Sequence, residues 1–264
     1  MNDNLRTAIM ASIDGGKEIL KIYKNDFEVE FKEDNSPLTI ADENANAVIN
    51  KYLLKTNIPI ISEENKQIDF QQRKSWSKCW IVDPLDGTKE FVKRNGEFTV
   101  NIALVENGKP LFGVIFVPDQ KVLYFGDVRA HKSFKATVDL DHINIEKILK
   151  EALEISPRNP NPKNKIIVGS RSHMNDETLS FVESFKKEGV NVDIVSKGSS
   201  LKFCLIAEGE ADIYPRFAPT MEWDTAAGQA ICEAVGLKVI SQQTKETLLY
   251  NKENLLNPGF LVSK

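Results

Sequence analysis

The 264-residue sequence predicts an α/β protein, with an α+β N-terminal half and an α/β C-terminal half. Three observations carry that expectation. Apolar residues recur at helical spacing as far as Leu53, short apolar runs with hairpin chemistry follow up to Phe125, and strand-like and helix-like segments alternate from Ile166 onward.

Taken in order, Leu5, Ile9, Ile13, Ile19, Leu20 and Tyr23 share one face of a first amphipathic helix. Residues 32–37 form a polar loop, and its Ser36-Pro37 step disfavours helix because the proline ring crowds the preceding residue. Ala41, Ala45, Val48, Ile49, Tyr52 and Leu53 then predict a second helix with Asp42 in its first turn. Residues 58–61 and 79–82 are strand candidates, ending at Ser62-Glu63-Glu64 and at Asp83-Pro84, so carboxylates stand where both strands finish. Residues 98–105, 111–117 and 121–125 read as antiparallel strands, with hairpin chemistry at Asn107-Gly108.

Residues 129–165 are polar and carry Pro157, Pro160 and Pro162. They read as a connection, dividing the chain into halves at 1–130 and 131–264. Beyond it, strands are expected at 166–168, 192–195 and 212–214, and helices at 176–187, 201–208 and 225–235, the last closed by Gly236.

Composition excludes several classes. With 41% hydrophobic and 27% charged residues and a formal net charge of −4, the chain reads as globular and lacks the basic stripe of a nucleic-acid binder. Cys79, Cys204 and Cys232 are odd in number, widely spaced and set in apolar stretches, which fits buried thiols in a reducing compartment. The three histidines have no paired ligand spacing, which argues against a zinc site. The first residues lack a signal peptide's basic start and apolar core, and no run is long and apolar enough for a membrane span. The expectation is an enzyme acting inside the cell.

The chemistry concentrates in Asp83-Pro84-Leu85-Asp86-Gly87-Thr88. Two aspartates across a proline-stiffened turn can aim at one point, Gly87 permits close approach of backbone to a ligand, and oxygen-only ligands suit a hard cation such as Mg²⁺. Gly87-Thr88 can also open a helix whose free N–H groups cradle phosphate. A solvated turn with a capping aspartate explains Asp-x-x-Asp equally well in isolation, as helix-dipole capping explains Asp224. Glu63-Glu64 and Asp224 at other element boundaries shift the balance toward a shared site.

These residues give the chain a resemblance to the inositol monophosphatase superfamily of metal-dependent, often lithium-sensitive phosphatases. Its marks are Ser62-Glu63-Glu64, Asp83-Pro84-Leu85-Asp86-Gly87-Thr88 and Trp223-Asp224-Thr225-Ala226-Ala227-Gly228, in that order and across nearly the whole chain. The resemblance implies a layered αβαβα sandwich and two to three Mg²⁺ ions. It assigns Glu64, Asp83 and the Leu85 carbonyl to one ion, Asp83, Asp86 and Asp224 to a second, and Glu64 with waters to a third, weaker one. Glu63 matches the non-ligand position of its pair, while Thr88 and Asp42, within Thr39-Ile40-Ala41-Asp42, would activate the attacking water. Two cations of such a cluster clamp the attacking and leaving oxygens of an in-line displacement. Gly87, Thr88 and Asp224 would face the phosphoryl group.

Three further stretches are similar to the 3′(2′),5′-bisphosphate nucleotidase branch: Lys89-Glu90-Phe91, Gly169-Ser170-Arg171-Ser172-His173, and Gly198-Ser199-Ser200-Leu201-Lys202-Phe203 followed by Ala211-Asp212-Ile213-Tyr214-Pro215-Arg216. Residues matching His173, Ser199, Lys202 and Arg216 contact the nucleotide in that branch, and Lys202 and Arg216 supply cations for a second phosphate. Each has a plainer reading alone: a solvated lysine, an arginine paired with Asp212 or Glu222, a loop histidine, an N-cap serine. The implied substrate is adenosine 3′,5′-bisphosphate, converted to AMP and phosphate in connection with sulfate assimilation. An inositol or sugar monophosphatase and a non-catalytic binding partner are the competing readings. The resemblance implies a cytoplasmic place, at the inner face of the membrane in some relatives, and leaves the oligomeric state open.

Overall fold

Helix α1 (Asp3–Tyr23) forms where the apolar spacing predicts it, and the Asn2 side chain caps it by accepting from the Asn4 N–H at 2.9 Å. The computed structural model describes residues 2–25, 30–31, 37–170 and 175–264. The expected loop at 32–37 lies outside these except for Pro37, which stands in β2 (Pro37–Leu38), the partner of β1 (Glu30–Phe31). Helix α2 (Ile40–Leu53) follows, with Asp42 in its first turn as expected.

A seven-stranded sheet is next. It contains β3 (Ile60–Ser62), β4 (Lys78–Asp86), β5 (Thr99–Glu106), β6 (Lys109–Val117), β7 (Val122–Asp127), β8 (Lys132–Thr137) and β9 (Leu153–Ile155), side by side in that order. Short helices α3 (Phe70–Arg73), α4 (Thr88–Val92) and α5 (Ile145–Glu151) sit in its connections. Strands β3 and β4 are parallel and the remaining pairs antiparallel. Asn107 (φ 50°) and Gly108 (φ 76°) make the β5–β6 turn, where left-handed backbone matches the twist of the strands.

Residues 129–165 are therefore not a connection. They supply β8, α5 and β9, and the expected boundary at 130/131 falls between two hydrogen-bonded strands of one sheet.

The remaining elements are β10 (Asn164–Ser170), α6 (Asp176–Lys187), β11 (Asn191–Lys197), α7 (Leu201–Ala207), β12 (Tyr214–Arg216), β13 (Thr220–Met221), α8 (Glu222–Ala234), β14 (Lys238–Ser241), β15 (Leu256–Asn257) and β16 (Phe260–Ser263). Strands β10 and β11 pair in parallel, β16 lies between β12 and β14, and an Ile167–Ile213 bridge joins the two groups.

The layers follow from which face each strand residue presents. In β4, Trp80 and Val82 pack with α1 and α2, whereas Cys79 and Ile81 pack toward α7 and α8. Both faces being covered explains why these strands read as continuous apolar runs rather than alternating ones. Beyond α7 and α8 lies the second sheet, with Phe260 and Val262 in the shared core, and Val182 of α6 closes the far side against Ile167 and Ile213. The order is helix, sheet, helix, sheet, helix: the αβαβα sandwich. All three cysteines are buried and free. Among the described residues no helix is long and apolar enough to cross a membrane.

Helix α8 lies flush on the large sheet because two glycines face it. A Cβ on Gly113 would stand 2.3 Å from the Ala227 carbonyl oxygen and 2.8 Å from its Cα, and one on Gly126 2.8 Å from the Ile231 Cα. The helix N-terminus is pinned separately. The fully buried Glu222 carboxylate accepts from the Asn251 N–H (2.6 Å), the Lys252 N–H (3.0 Å) and the Lys252 ammonium (2.6 Å). Arg73 donates to the Lys252 and Glu253 carbonyls at 2.6 and 2.9 Å, fixing that loop in turn. Gly236, just past the helix at φ 82°, ends it as expected.

The close approach makes Gly113 a sensitive position. Gly113→Ala should destabilise the protein by about 1–3 kcal/mol, the usual cost of overpacking. Urea unfolding checks this; an unchanged midpoint would mean that α8 can retreat from the sheet freely.

Candidate metal and phosphate site

Strand β4 builds the first part of the site through a bulge. Asp83 stands opposite Asn101 and Asp86 opposite Thr99, so three steps along β4 match two along β5. In a regular strand residues three apart point to opposite faces. The bulge at Pro84-Leu85 restores the parity and turns both aspartates to one side, at a point where proline's missing N–H is tolerated. The strand thus continues through Asp83-Pro84 instead of ending there.

Helix α8 supplies the third carboxylate. It begins at Glu222, earlier than expected, so Asp224 lies inside its first turn and accepts from the Met221 N–H at 2.8 Å. Asp83, Asp86 and Asp224 each offer an oxygen, all within 4.8 Å of one another. Burial pushes the Asp83 carboxyl well above the usual range, and the charges of Glu63, Asp86, Asp224 and Asp42 push it further. Burial, followed by the Asp86 charge, carries Asp224 to about 8 against the lowering effect of the Met221 N–H. An all-oxygen set of mutually repelling carboxylates fits a hard divalent cation, which would relieve the repulsion.

A further carboxylate near the cluster is Glu63. Its N–H donates to the Val82 carbonyl at 3.2 Å, which registers it beside Asp83, and it lines a cavity of about 230 Å³ together with Asp86, Thr88, Lys202, Arg216 and Asp224. Glu64, the expected ligand of the pair, is not among the residues lining this cavity. Asp83, a member of the carboxylate cluster, is absent from that lining too.

Thr88 opens α4, with Gly87 before it in the left-handed region (φ 88°). The Thr88 Oγ1 lies 3.3 Å from Asp42 Oδ1 and 3.3 Å from the Leu85 carbonyl oxygen. Asp42 Oδ2 accepts from both the N–H and the hydroxyl of Thr39 at 2.8 Å, which aims Oδ1 at Thr88. The expected Thr88–Asp42 pair is brought together, with the Leu85 carbonyl beside it.

Gly198, Ser199, Ser200 and Lys202 supply another part of the lining. Ser199, at φ 46°, has its Oγ 2.8 Å from the Thr99 hydroxyl. Lys202 is buried, donates to the Ser199 carbonyl and lies 5.5 Å from the Tyr214 ring centroid. Burial lowers it to about 8, partly opposed by the Asp86 charge. It is not the solvated lysine of the plainer reading. Arg216 Nη2 reaches the Pro219 carbonyl at 3.5 Å, while its Nε is buried with no hydrogen-bond partner among the described residues. A buried donor without a partner calls for an acceptor such as a water or a bound anion. His173 lies outside the described residues.

Sequence reading missed the residues that hold Asp86. Ser200 Oγ donates to Asp86 Oδ2 at 2.6 Å, and the Asn101 amide donates to Asp86 Oδ2 at 3.2 Å and to Ser200 Oγ at 2.8 Å. The available signal was Thr99 and Asn101 themselves, polar residues two apart in an otherwise apolar strand.

The raised carboxyls give a stability–pH relation with a definite sign. The folded state holds protons on Asp83 and Asp224 more tightly than the unfolded chain does. These groups therefore lower stability as pH rises from about 4, the unfolded value, toward the folded value of about 8 for Asp224. In chelator, Asp224→Asn should flatten that decline between pH 5 and 8 in urea titrations; a slope equal to wild type would refute the assignment of the burden to this cluster.

Comparisons with known proteins agree with this geometry. A model of the inositol monophosphatase family matches residues 1–261. The chain is 43% identical over 252 residues to the 3′(2′),5′-bisphosphate nucleotidase CysQ of Salmonella typhimurium, covering 94% of each, and 43% identical over 257 residues to the CysQ of Buchnera aphidicola, covering 94% of this chain and 89% of that one. Among solved structures, CysQ from Bacteroides thetaiotaomicron superposes with a TM-score of 0.88 at 47% identity, covering 100% of this chain and 97% of that one. The Thermotoga maritima IMPase shares the fold at a TM-score of 0.77 and 21% identity, covering 99% of this chain and 92% of that one. A family model spanning nearly every residue, and close relatives matched end to end, place this chain in the inositol monophosphatase family.

Proposed function

We propose that the chain is a Mg²⁺-dependent 3′(2′),5′-bisphosphate nucleotidase that releases the 3′-phosphate of adenosine 3′,5′-bisphosphate, leaving AMP. The observation that carries this reading is one cavity lined both by the carboxylates Glu63, Asp86 and Asp224 and by the cations Lys202 and Arg216. The relatives named as 3′(2′),5′-bisphosphate nucleotidases support the substrate class.

Asp83, Asp86, Asp224 and the Leu85 carbonyl would hold the cations, with Glu63 in the role expected of Glu64. Bound divalent ions supply charge neutralisation for the leaving oxygen and a lower pKa for the attacking water. The chain's own residues do the rest. Thr88 Oγ1 accepts a proton from the attacking water as its own proton passes to Asp42 Oδ1, 3.3 Å away, while Thr39 keeps Asp42 oriented. Arg216 and Lys202 line the same cavity and would supply the positive charge that a second phosphate needs. Gly87 lets the chain turn tightly ahead of Thr88, so that backbone approaches the phosphoryl oxygens without a side chain between.

Two measurements test this. Phosphate release from adenosine 3′,5′-bisphosphate should exceed release from inositol 1-phosphate and should vanish in chelator. Preference for the inositol ester would reassign the substrate, and release in chelator would refute the cation dependence. Glu63→Gln should cut kcat/KM by about 10²-fold or more, as loss of several kcal/mol of transition-state stabilisation requires, while Glu64→Gln stays near wild type. The reverse pattern would return the ligand role to Glu64.

A further inference from the structure

The turn at 197–200 forms one wall of the cavity, and something must hold it there. Ser199 adopts a left-handed backbone (φ 46°), uncommon for a residue with a side chain. On one side the surroundings are Glu97. Its carboxylate is buried, with Oε2 accepting from the Gly198 N–H at 2.8 Å and Oε1 facing the Lys197 ammonium at 3.3 Å. Gly198 is needed for that approach, since a Cβ there would stand 2.8 Å from Glu90 Cγ and 3.0 Å from the Glu97 carbonyl oxygen. On the other side are Thr99, bonded to Ser199, and Asp86, bonded to Ser200.

One short stretch of chain thus contacts both the turn and Asp86. Glu97 and Thr99 grip the turn, and Asn101 touches Ser200 and Asp86 together. Glu97 itself is absent from the cavity lining, so it acts through the residues it holds.

We propose that Glu97 is a positioning residue for phosphate-ester hydrolysis, anchoring the 197–200 turn so that Ser200 orients Asp86 and Ser199 and Lys202 face the substrate. This rests on the functional reading above. Charge-assisted acceptance of a backbone N–H is about twice as strong as a neutral bond, which is why a carboxylate suits the task despite the acidic cluster nearby. Losing it frees the turn, loosens Asp86 and weakens both cation and substrate binding, though Glu97 touches neither.

The test uses the full chain as wild type, Glu97→Ala and Glu97→Gln. Half-saturation by Mg²⁺ is read from thermal shifts without substrate, and kcat and KM from phosphate release with adenosine 3′,5′-bisphosphate. Glu97→Ala should raise the Mg²⁺ half-saturation and KM by about 10–100-fold, the range for groups that orient metal ligands. Glu97→Gln should recover most of that loss, because its amide oxygen still accepts from Gly198. Wild-type values in Glu97→Ala would overturn the inference, as would Glu97→Gln being as impaired as Glu97→Ala. Should Glu97→Ala not fold, Glu97→Asp takes its place, since the shorter side chain withdraws its carboxylate from the Gly198 N–H; the same rises support the inference and unchanged values overturn it. A wild-type chain with neither Mg²⁺ response nor turnover would overturn the functional reading, and this inference with it.

Discussion

The site depends on holding together carboxylates that repel one another whenever they are ionised. Two unit charges 4.8 Å apart repel by about 3.5 kcal/mol at an effective dielectric constant of about 20, and Asp83, Asp86 and Asp224 meet within that distance beside Glu63. A flexible chain would separate them. The backbone forbids it: the β4 bulge fixes two, the first turn of α8 fixes the third, and the parallel pairing of β3 with β4 brings the fourth. The surrounding core supplies the stability that this arrangement consumes.

Helix α8 couples the two sheets to that arrangement. Its one face rests on Gly113 and Gly126 of the large sheet, and its Gly228 faces Phe203 of α7, which stacks on Phe260 of the second sheet. Its start is held by Glu222, Arg73 and the loop at 251–253. Asp224 is therefore located by rigid neighbours on several sides, which is what a preorganised charge site requires. The same logic recurs on a smaller scale where Thr39 fixes Asp42 and Asn101 fixes Ser200.

Much of this was legible in the sequence, and the failures have physical causes. Strong periodicity located α1, α2 and α6, and turn chemistry located the β5–β6 hairpin. Strand β8 was invisible because Lys132, Lys135 and Thr137 give it the look of a loop, and α5 is only two turns long. Without them the chain reads as two halves. The aspartates and the Thr88–Asp42 pair were readable as a motif. Glu63 and Glu64 were not separable, since composition carries no information about strand register. Ser200, Asn101 and Glu97 escaped because their partners lie far away in sequence, and only the folded topology makes neighbours of them.

The anchoring of Glu222 has a consequence for biosynthesis. The chain emerges N-terminus first, so Asp83 and Asp86 are in place long before Asp224, and Asp224 is held only once residues 251–253 can grip Glu222 and Arg73. A chain made only as far as β4 owns two aspartates of the cluster without the anchored third. Completion of the cluster is thereby tied to the docking of a loop 30 residues beyond Glu222.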